Sequence, residues 1–227
     1  MASIVISQAV GLNAPNRPED VKAIAQRLVE IGKLSVTGGS GVMDAALLQG
    51  IAAAQRHFMA APDQLINANG STLGYLNNWS VKPISPGVQL PGRLREAWDW
   101  VNPLLPPGSY CSSGFRSADE QRQILHKFYT TTYRAEILAT YGQPEYNRVA
   151  TDLLGNEARV VAMVCGIGQL IAAPGKSAHQ QGKAIDIGGP DDAGQVKVVE
   201  LVARVHADLF SGKVLKERNG CVHFELR

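Results

Sequence analysis

The sequence predicts an α+β fold: a small antiparallel sheet with helices, preceded by a small three-helix domain. Three observations predict it. Residues 184–188 and 221–226 alternate apolar and polar at period two, the signature of half-buried strands. Residues 18–78 place apolar side chains at helical spacing between recognisable start and stop signals. Between these regions Pro83, Pro86 and Pro91 impose an extended linker. The organisation that follows is a helical domain over 1–79, a Pro-rich linker over 80–92 and a second domain over 93–227.

In chain order, Pro18-Glu19-Asp20 opens a helix, with proline in the first turn and two acids at the positive end of the helix dipole. Val21, Ile24, Leu28 and Ile31 recur on one face, and Gly32 is a stop. A second helix is predicted over 44–58, with Ala45, Leu48, Ile51 and Phe58 inward. Residues 62–67 read as a turn, and Ser71-Thr72-Leu73 begins a third helix. After the linker a helix runs over 93–101. Trp79, Trp98 and Trp100 mark the seam between the two parts. Tyr110 to Ser117 reads as a strand entering a helix, because Ser117 and Glu120 form a capping box ahead of Ile124 and Leu125. Helical patches at 135–141, 146–154 and 159–171 form a long connection, a lid or wall of a cleft. Its Tyr129, Tyr133, Tyr141 and Tyr146 read as packing residues. The strand from Ala184 is followed by a helix over 192–210 carrying Val196, Val199, Val202 and Val205, and by the final strand. His57, His126 and His206 fall in helical stretches and read as structural or surface residues.

Composition narrows the function. The chain has 227 residues and a net charge of +2, without the basic excess of a generic nucleic-acid binder. With 45% hydrophobic and 19% charged residues it is globular and not disordered. No apolar run reaches the roughly 18 residues of a membrane span. Cys111, Cys165 and Cys221 are too few and too far apart for a disulfide framework or a zinc knuckle. The N-terminus lacks the basic start and long apolar stretch of a secretory signal. Synthesis in the cytoplasm is expected, with delivery by another route if the chain acts outside.

Three segments carry chemistry. In Ser113-Gly114-Phe115-Arg116-Ser117, Arg116 stands at the corner between strand and helix, where a long cation leans over a cleft. In Ser177-Ala178-His179-Gln180-Gln181-Gly182-Lys183-Ala184-Ile185-Asp186, alternation sends Ile185 and Ile187 to the core and Asp186 to the opposite face. A glycine-containing loop lets His179 fold back beside Asp186. The strand at 221–226 repeats the arrangement, with Val222, Phe224 and Leu226 on one face and Cys221, His223 and Glu225 on the other. Taken alone, His223 reads as a buried structural histidine. Side by side, the two strands bring Asp186 to His223, and two imidazoles with one carboxylate and an open fourth position form a catalytic zinc shell.

These motifs resemble those of the zinc peptidases of peptidoglycan, the D-alanyl-D-alanine carboxypeptidases and L-alanyl-D-glutamate endopeptidases, whose fold the Hedgehog signalling domain shares. The resemblance covers about 83–227, and Ser177, His179, Gly182, Ala184 and Asp186 occupy each fixed position of the middle motif. It implies Zn2+ held by His179, Asp186 and His223, with Arg116 stabilising an oxyanion or holding a substrate carboxylate. It further implies that Ser177 contacts the bound peptide. Residues 8–78 similarly resemble a peptidoglycan-binding three-helix module, through Asn16 to Val21, Gln55 to Phe58, and Pro62-Asp63 to Leu73; the plainer reading is a helical cap. The implied partner is peptidoglycan, reached through phage lysis or a secretion machine, with an immunity-type inhibitor as a further partner. The competing reading is a zinc-containing module that binds a wall peptide or a protein without turnover.

One position departs from the pattern. Such enzymes place a general base three residues before the last ligand, or a histidine two before, and here those positions hold Gly220 and Cys221. Glu225, on the strand face of His223, is the expected replacement, with Glu217 in reserve. Cys221 is an alternative that would crowd or ligate the metal.

Overall fold

The computed structural model describes residues 2–35 and 41–227; the part of the helical-module resemblance at 36–40 lies outside them. The fold is α+β, with helices arranged around two small antiparallel sheets. In the N-terminal part, α1 (Pro18–Glu30), α2 (Ala45–Gln55) and α3 (Ser71–Asn78) accompany a two-residue ladder of β1 (Val10–Gly11) and β2 (Leu65–Ile66). Asp44 caps α2 by accepting the Leu47 amide at 2.8 Å. The Pro-rich segment packs along the sheet edge, where Ile84 bridges Cys111 and Gln89 bridges Phe115; between the bridges it turns at Pro86-Gly87, the Val88 amide donating to the Ser85 carbonyl at 3.1 Å, so it is not extended throughout.

The second part begins with α4 (Arg93–Val101) and contains a four-stranded sheet. Its strands are β3 (Tyr110–Ser113), β4 (Ala184–Gly188), β5 (Phe210–Lys216) and β6 (Val222–Leu226), in spatial order β3-β4-β6-β5, all antiparallel. One face carries Cys111, Ile185, Ile187, Val222 and Phe224 into a core completed by Leu94, Trp98 and Val101 of α4 and by Val199 and Val202 of α9 (Asp192–Val205). The other face carries Asp186 and His223. Between β3 and β4 stands a helical insert: α5 (Ala118–Lys127), a π-helical turn (Phe128–Thr132), α6 (Arg134–Tyr141), α7 (Gln143–Ala150) and α8 (Glu157–Gly166). Tyr129, Tyr133, Tyr146, Val160 and Met163 give it a core of its own, so the tyrosines pack as expected. The insert is a wall built of folded helices. The capping box at Ser117 and Glu120 forms, and it starts α5 directly after the Arg116 corner.

The principal core runs without a break from Val10, Ile24 and Leu28 through Trp79 to Trp98 and Phe224. At this seam His57 lies edge-on to Trp79 and Trp100, and Trp100 stacks on His206 with centroids 4.0 Å apart. His57 Nδ1 is 3.0 Å from the Trp100 carbonyl and Nε2 is 3.0 Å from Lys33 Nζ. The neutral ring satisfies both, donating from Nδ1 and accepting at Nε2. Burial pushes the His57 pKa down to about 4, with the Trp100 carbonyl and Asp99 opposing and Lys33 and His206 assisting. Between pH 6.5 and 4 the unfolded chain therefore binds a proton that the folded one refuses. Stability contributed here is present above pH 6.5 and is lost on acidification, by at most about 3 kcal/mol. The melting temperature is expected to fall more steeply between pH 7 and 4.5 in the wild type than in His57→Gln; parallel slopes would count against this account.

Candidate metal centre and cleft

Strand register builds the site. Asp186 of β4 lies directly opposite His223 of β6, and Ser113 of β3 is opposite Asp186 on its other side. Directly opposed residues hold their Cβ atoms about 4.5–5.5 Å apart, so the pairing alone brings the carboxylate to the imidazole. His179 arrives from the loop before β4. The Ser177 hydroxyl accepts the His179 amide at 3.3 Å, and the Gly182 amide donates to the His179 carbonyl at 3.1 Å. Gly182 turns the chain with φ of +65°, a conformation that a side chain disfavours. These turns deliver His179 to the sheet face.

His179, Asp186 and His223 are all buried, and their donor atoms lie within 4.8 Å of one another. Asp186 Oδ1 is 3.2 Å from His179 Nε2 and 2.8 Å from His223 Nδ1. The outward nitrogen of each ring is also held. His179 Nδ1 is 2.7 Å from the Gly114 carbonyl, and His223 Nε2 is 3.2 Å from Glu225 Oε1. Metal-ligating histidines are oriented in this way, with the second nitrogen donating to a carbonyl or carboxylate. The donor set and its outer partners thus fit a zinc ion. Gly114 is needed for the close approach, since a Cβ there would meet the Gln89 carbonyl oxygen at 2.3 Å.

Arg116 closes one side. Its guanidinium donates to Asp186 Oδ2 at 2.6 Å, to Ser113 Oγ at 2.7 Å and to Gln121 Oε1 at 3.3 Å. Burial alone would push the Asp186 carboxyl up. The hydrogen bonds from His179 and His223, and the charges of His179 and Arg116, outweigh it and hold the carboxyl well below the usual carboxylate range. Burial opposes protonation of His223, but Asp186 and Glu225 raise its pKa.

The cluster opens into a cleft of about 360 Å³. The sheet and the Ser177–His179 loop form its polar side, and Ile124, Phe128, Leu170 and Ile171 of the insert form the apolar side. Glu217 and Glu225 both line it. Glu225 is bonded to His223 Nε2 and pairs with Lys213 Nζ at 2.5 Å. Lys213 and Leu215 enter from β5, a strand between the predicted helix over 192–210 and the final strand that the sequence does not announce. Phe210-Ser211-Gly212-Lys213 hides it, because Gly212 has φ of +82° and the register shifts between Phe210 and Val214. Gln121 was also passed over; its place one turn into the capped helix behind Arg116 was the available signal. Cys221 lies 3.8 Å from the Ser112 hydroxyl, and burial pushes its thiol pKa up.

Among the described residues, no helix is long and apolar enough to cross a membrane. Residues 108–227, more than half the chain, match the family model of VanY, D-alanyl-D-alanine carboxypeptidase. No curated protein and no solved structure matches the chain. The matched segment contains the whole four-stranded sheet, the helical insert, Arg116 and all three candidate metal ligands.

Proposed function

The chain belongs to the VanY family of D-alanyl-D-alanine carboxypeptidases, and on that premise we propose that it is a zinc-dependent carboxypeptidase releasing the terminal D-alanine of the peptidoglycan stem peptide. The observation that carries the reading is the buried His179, Asp186 and His223 cluster at the floor of a cleft edged by Arg116. His179, Asp186 and His223 would hold the zinc. Bound there, zinc supplies Lewis-acid polarisation of the scissile carbonyl and lowers the pKa of water.

The protein's own groups do the rest. Arg116, anchored at three points, offers fixed positive charge beside the reacting carbonyl, where negative charge develops in the transition state. Ser177 holds the His179 turn and stands at the cleft wall, within reach of the peptide backbone. The apolar wall formed by Phe128, Leu170 and Ile171 suits a methyl side chain such as that of alanine. A carboxylate must accept the proton of the attacking water and return it to the leaving amine. Residues 1–79 share the core of the peptidase, which favours a structural cap and leaves wall binding as a second role of that part.

The zinc-loaded protein is expected to convert pentapeptide muropeptides to tetrapeptides with release of free D-alanine, read by mass analysis. Cleavage between L-alanine and D-glutamate would replace the carboxypeptidase reading with the endopeptidase one. Stoichiometric zinc without any product would favour a binding module.

A further inference from the structure

We propose that Glu217 is the proton acceptor of this site, and that Arg218 positions it by pinning the β5–β6 turn to the helical insert. The inference rests on the peptidase reading above and assigns its carboxylate.

Gly220 has no side chain and sits at the turn with φ of +83°. Cys221 turns toward Ser112 of β3, its Sγ 3.8 Å from that hydroxyl. Glu225 has its Oε1 engaged by both His223 Nε2 and Lys213 Nζ. That places it across the imidazole ring from Nδ1, the nitrogen that faces Asp186. Glu225 therefore holds the orientation of a ligand and is not free to take a proton from water.

Glu217 is placed differently. Leu215 pairs with His223 across β5 and β6, so a residue two further on shares the face of His223. It lines the same cleft as Asp186, His223 and Arg116, and its Oε2 accepts from Asn219 at 3.2 Å. Burial first, and Asp186 second, raise its carboxyl above the ordinary range, against His223, Asn219 and Arg116.

The turn itself is tied down. The Glu217 amide donates to the Cys221 carbonyl at 2.8 Å, and the Gly220 amide to the Glu217 carbonyl at 3.0 Å. The next side chain reaches across to the insert. Arg218 donates to Glu136 Oε2 at 2.6 Å and to the Ile167 carbonyl at 2.9 Å, and its guanidinium lies 5.4 Å from the centre of the Tyr133 ring. A half-exposed ion pair of this kind contributes little to stability. Its consequence is geometric, because it fixes the residue beside Glu217 to the opposite wall of the cleft. In the reaction, a water proton passes to the Glu217 carboxylate as the oxygen attacks the carbonyl carbon. The same proton passes to the amine nitrogen as the C–N bond breaks.

The test uses full-length zinc-loaded protein, with zinc affinity from chelator competition and kcat and KM on a pentapeptide muropeptide. Glu217→Gln is expected to keep wild-type zinc affinity while kcat falls about 10²–10⁴-fold. Glu225→Gln is expected to weaken zinc roughly 10–100-fold, as loss of an outer-shell partner does. Arg218→Ala is expected to lower kcat roughly 10–100-fold with KM and zinc unchanged, and to cost nothing further when added to Glu217→Gln. Normal turnover in Glu217→Gln would overturn the assignment of the base. An Arg218→Ala loss that persists in the Glu217→Gln background would overturn the positioning role. Wild-type protein without turnover in the same assay would instead overturn the peptidase reading, and this inference with it.

Discussion

Asp186→Ala is expected to abolish zinc binding and hydrolysis together while leaving the protein folded. Asp186 serves three neighbours at once. Its Oδ1 faces His179 Nε2 and His223 Nδ1, and its Oδ2 accepts from Arg116. Truncation removes one of the three proposed metal donors, so the loss of affinity should go well beyond the 10–100-fold that an outer-shell partner costs. It also strands a guanidinium whose side chain is 18% exposed. Breaking a fully buried pair costs about 3–5 kcal/mol, and the access of Arg116 to water brings the expected cost below that range. Domains of this size hold about 5–15 kcal/mol, and the apolar face of β4, with Ile185 and Ile187, is untouched. Circular dichroism at 25 °C should therefore show a native spectrum, and metal analysis should show no zinc. A variant that retains stoichiometric zinc would remove Asp186 from the ligand set.

Much of the candidate site was legible in the sequence because Asp186 and His223 sit on strands with strict alternation, while His179 comes from the loop before β4. Ile185 and Ile187 fixed which way Asp186 points, and Val222 and Phe224 did the same for His223; the register that sets the two directly opposite each other is seen only in the fold. The outward nitrogens of the histidines were not legible. One is held by the backbone carbonyl of Gly114, which no side-chain pattern announces, and the other by Glu225. Alternation placed Glu225 on the correct face of β6 and could say nothing of what it touches there. Lys213, which pairs with it, stands on β5, an edge strand whose glycine kink erases the period-two signal. The Pro-rich segment turns at Pro86-Gly87 where three prolines suggested a continuous extended run. What composition did not give was its packing: the Gln89 carbonyl lies so close to Gly114 that the glycine is obligatory. The tryptophans announced the seam between the two parts, but not how continuous the core across it is, since apolar periodicity identifies the buried face of a helix and not the element that covers it.

Arg116→Ala is expected to lower kcat about 10²–10³-fold, the usual worth of one fixed donor to a developing oxyanion, with zinc affinity reduced far less than in Asp186→Ala. Three acceptors hold the guanidinium: Asp186 Oδ2, Ser113 Oγ and Gln121 Oε1. Ser113 belongs to β3 and Gln121 to α5, so the strand, the helix and the metal cluster together set the plane of the fork. A cation fixed in this way needs no reorganisation when charge appears on the carbonyl oxygen, and the surrounding protein dipoles keep its interaction stronger than in water. Arg116→Lys is expected to recover only a small part of the loss, because one ammonium on a flexible stem cannot make the three bonds of the planar fork. KM separates the two duties that the sequence left open for this residue. Loss of kcat with KM unchanged identifies a group that acts in the transition state, whereas a rise in KM with kcat unchanged identifies one that holds the substrate carboxylate equally in both states. The pairing of Arg116 with Asp186 favours the first outcome: the guanidinium is drawn to the metal cluster, where the carbonyl reacts. Wild-type kcat and KM in both variants would exclude Arg116 from the chemistry.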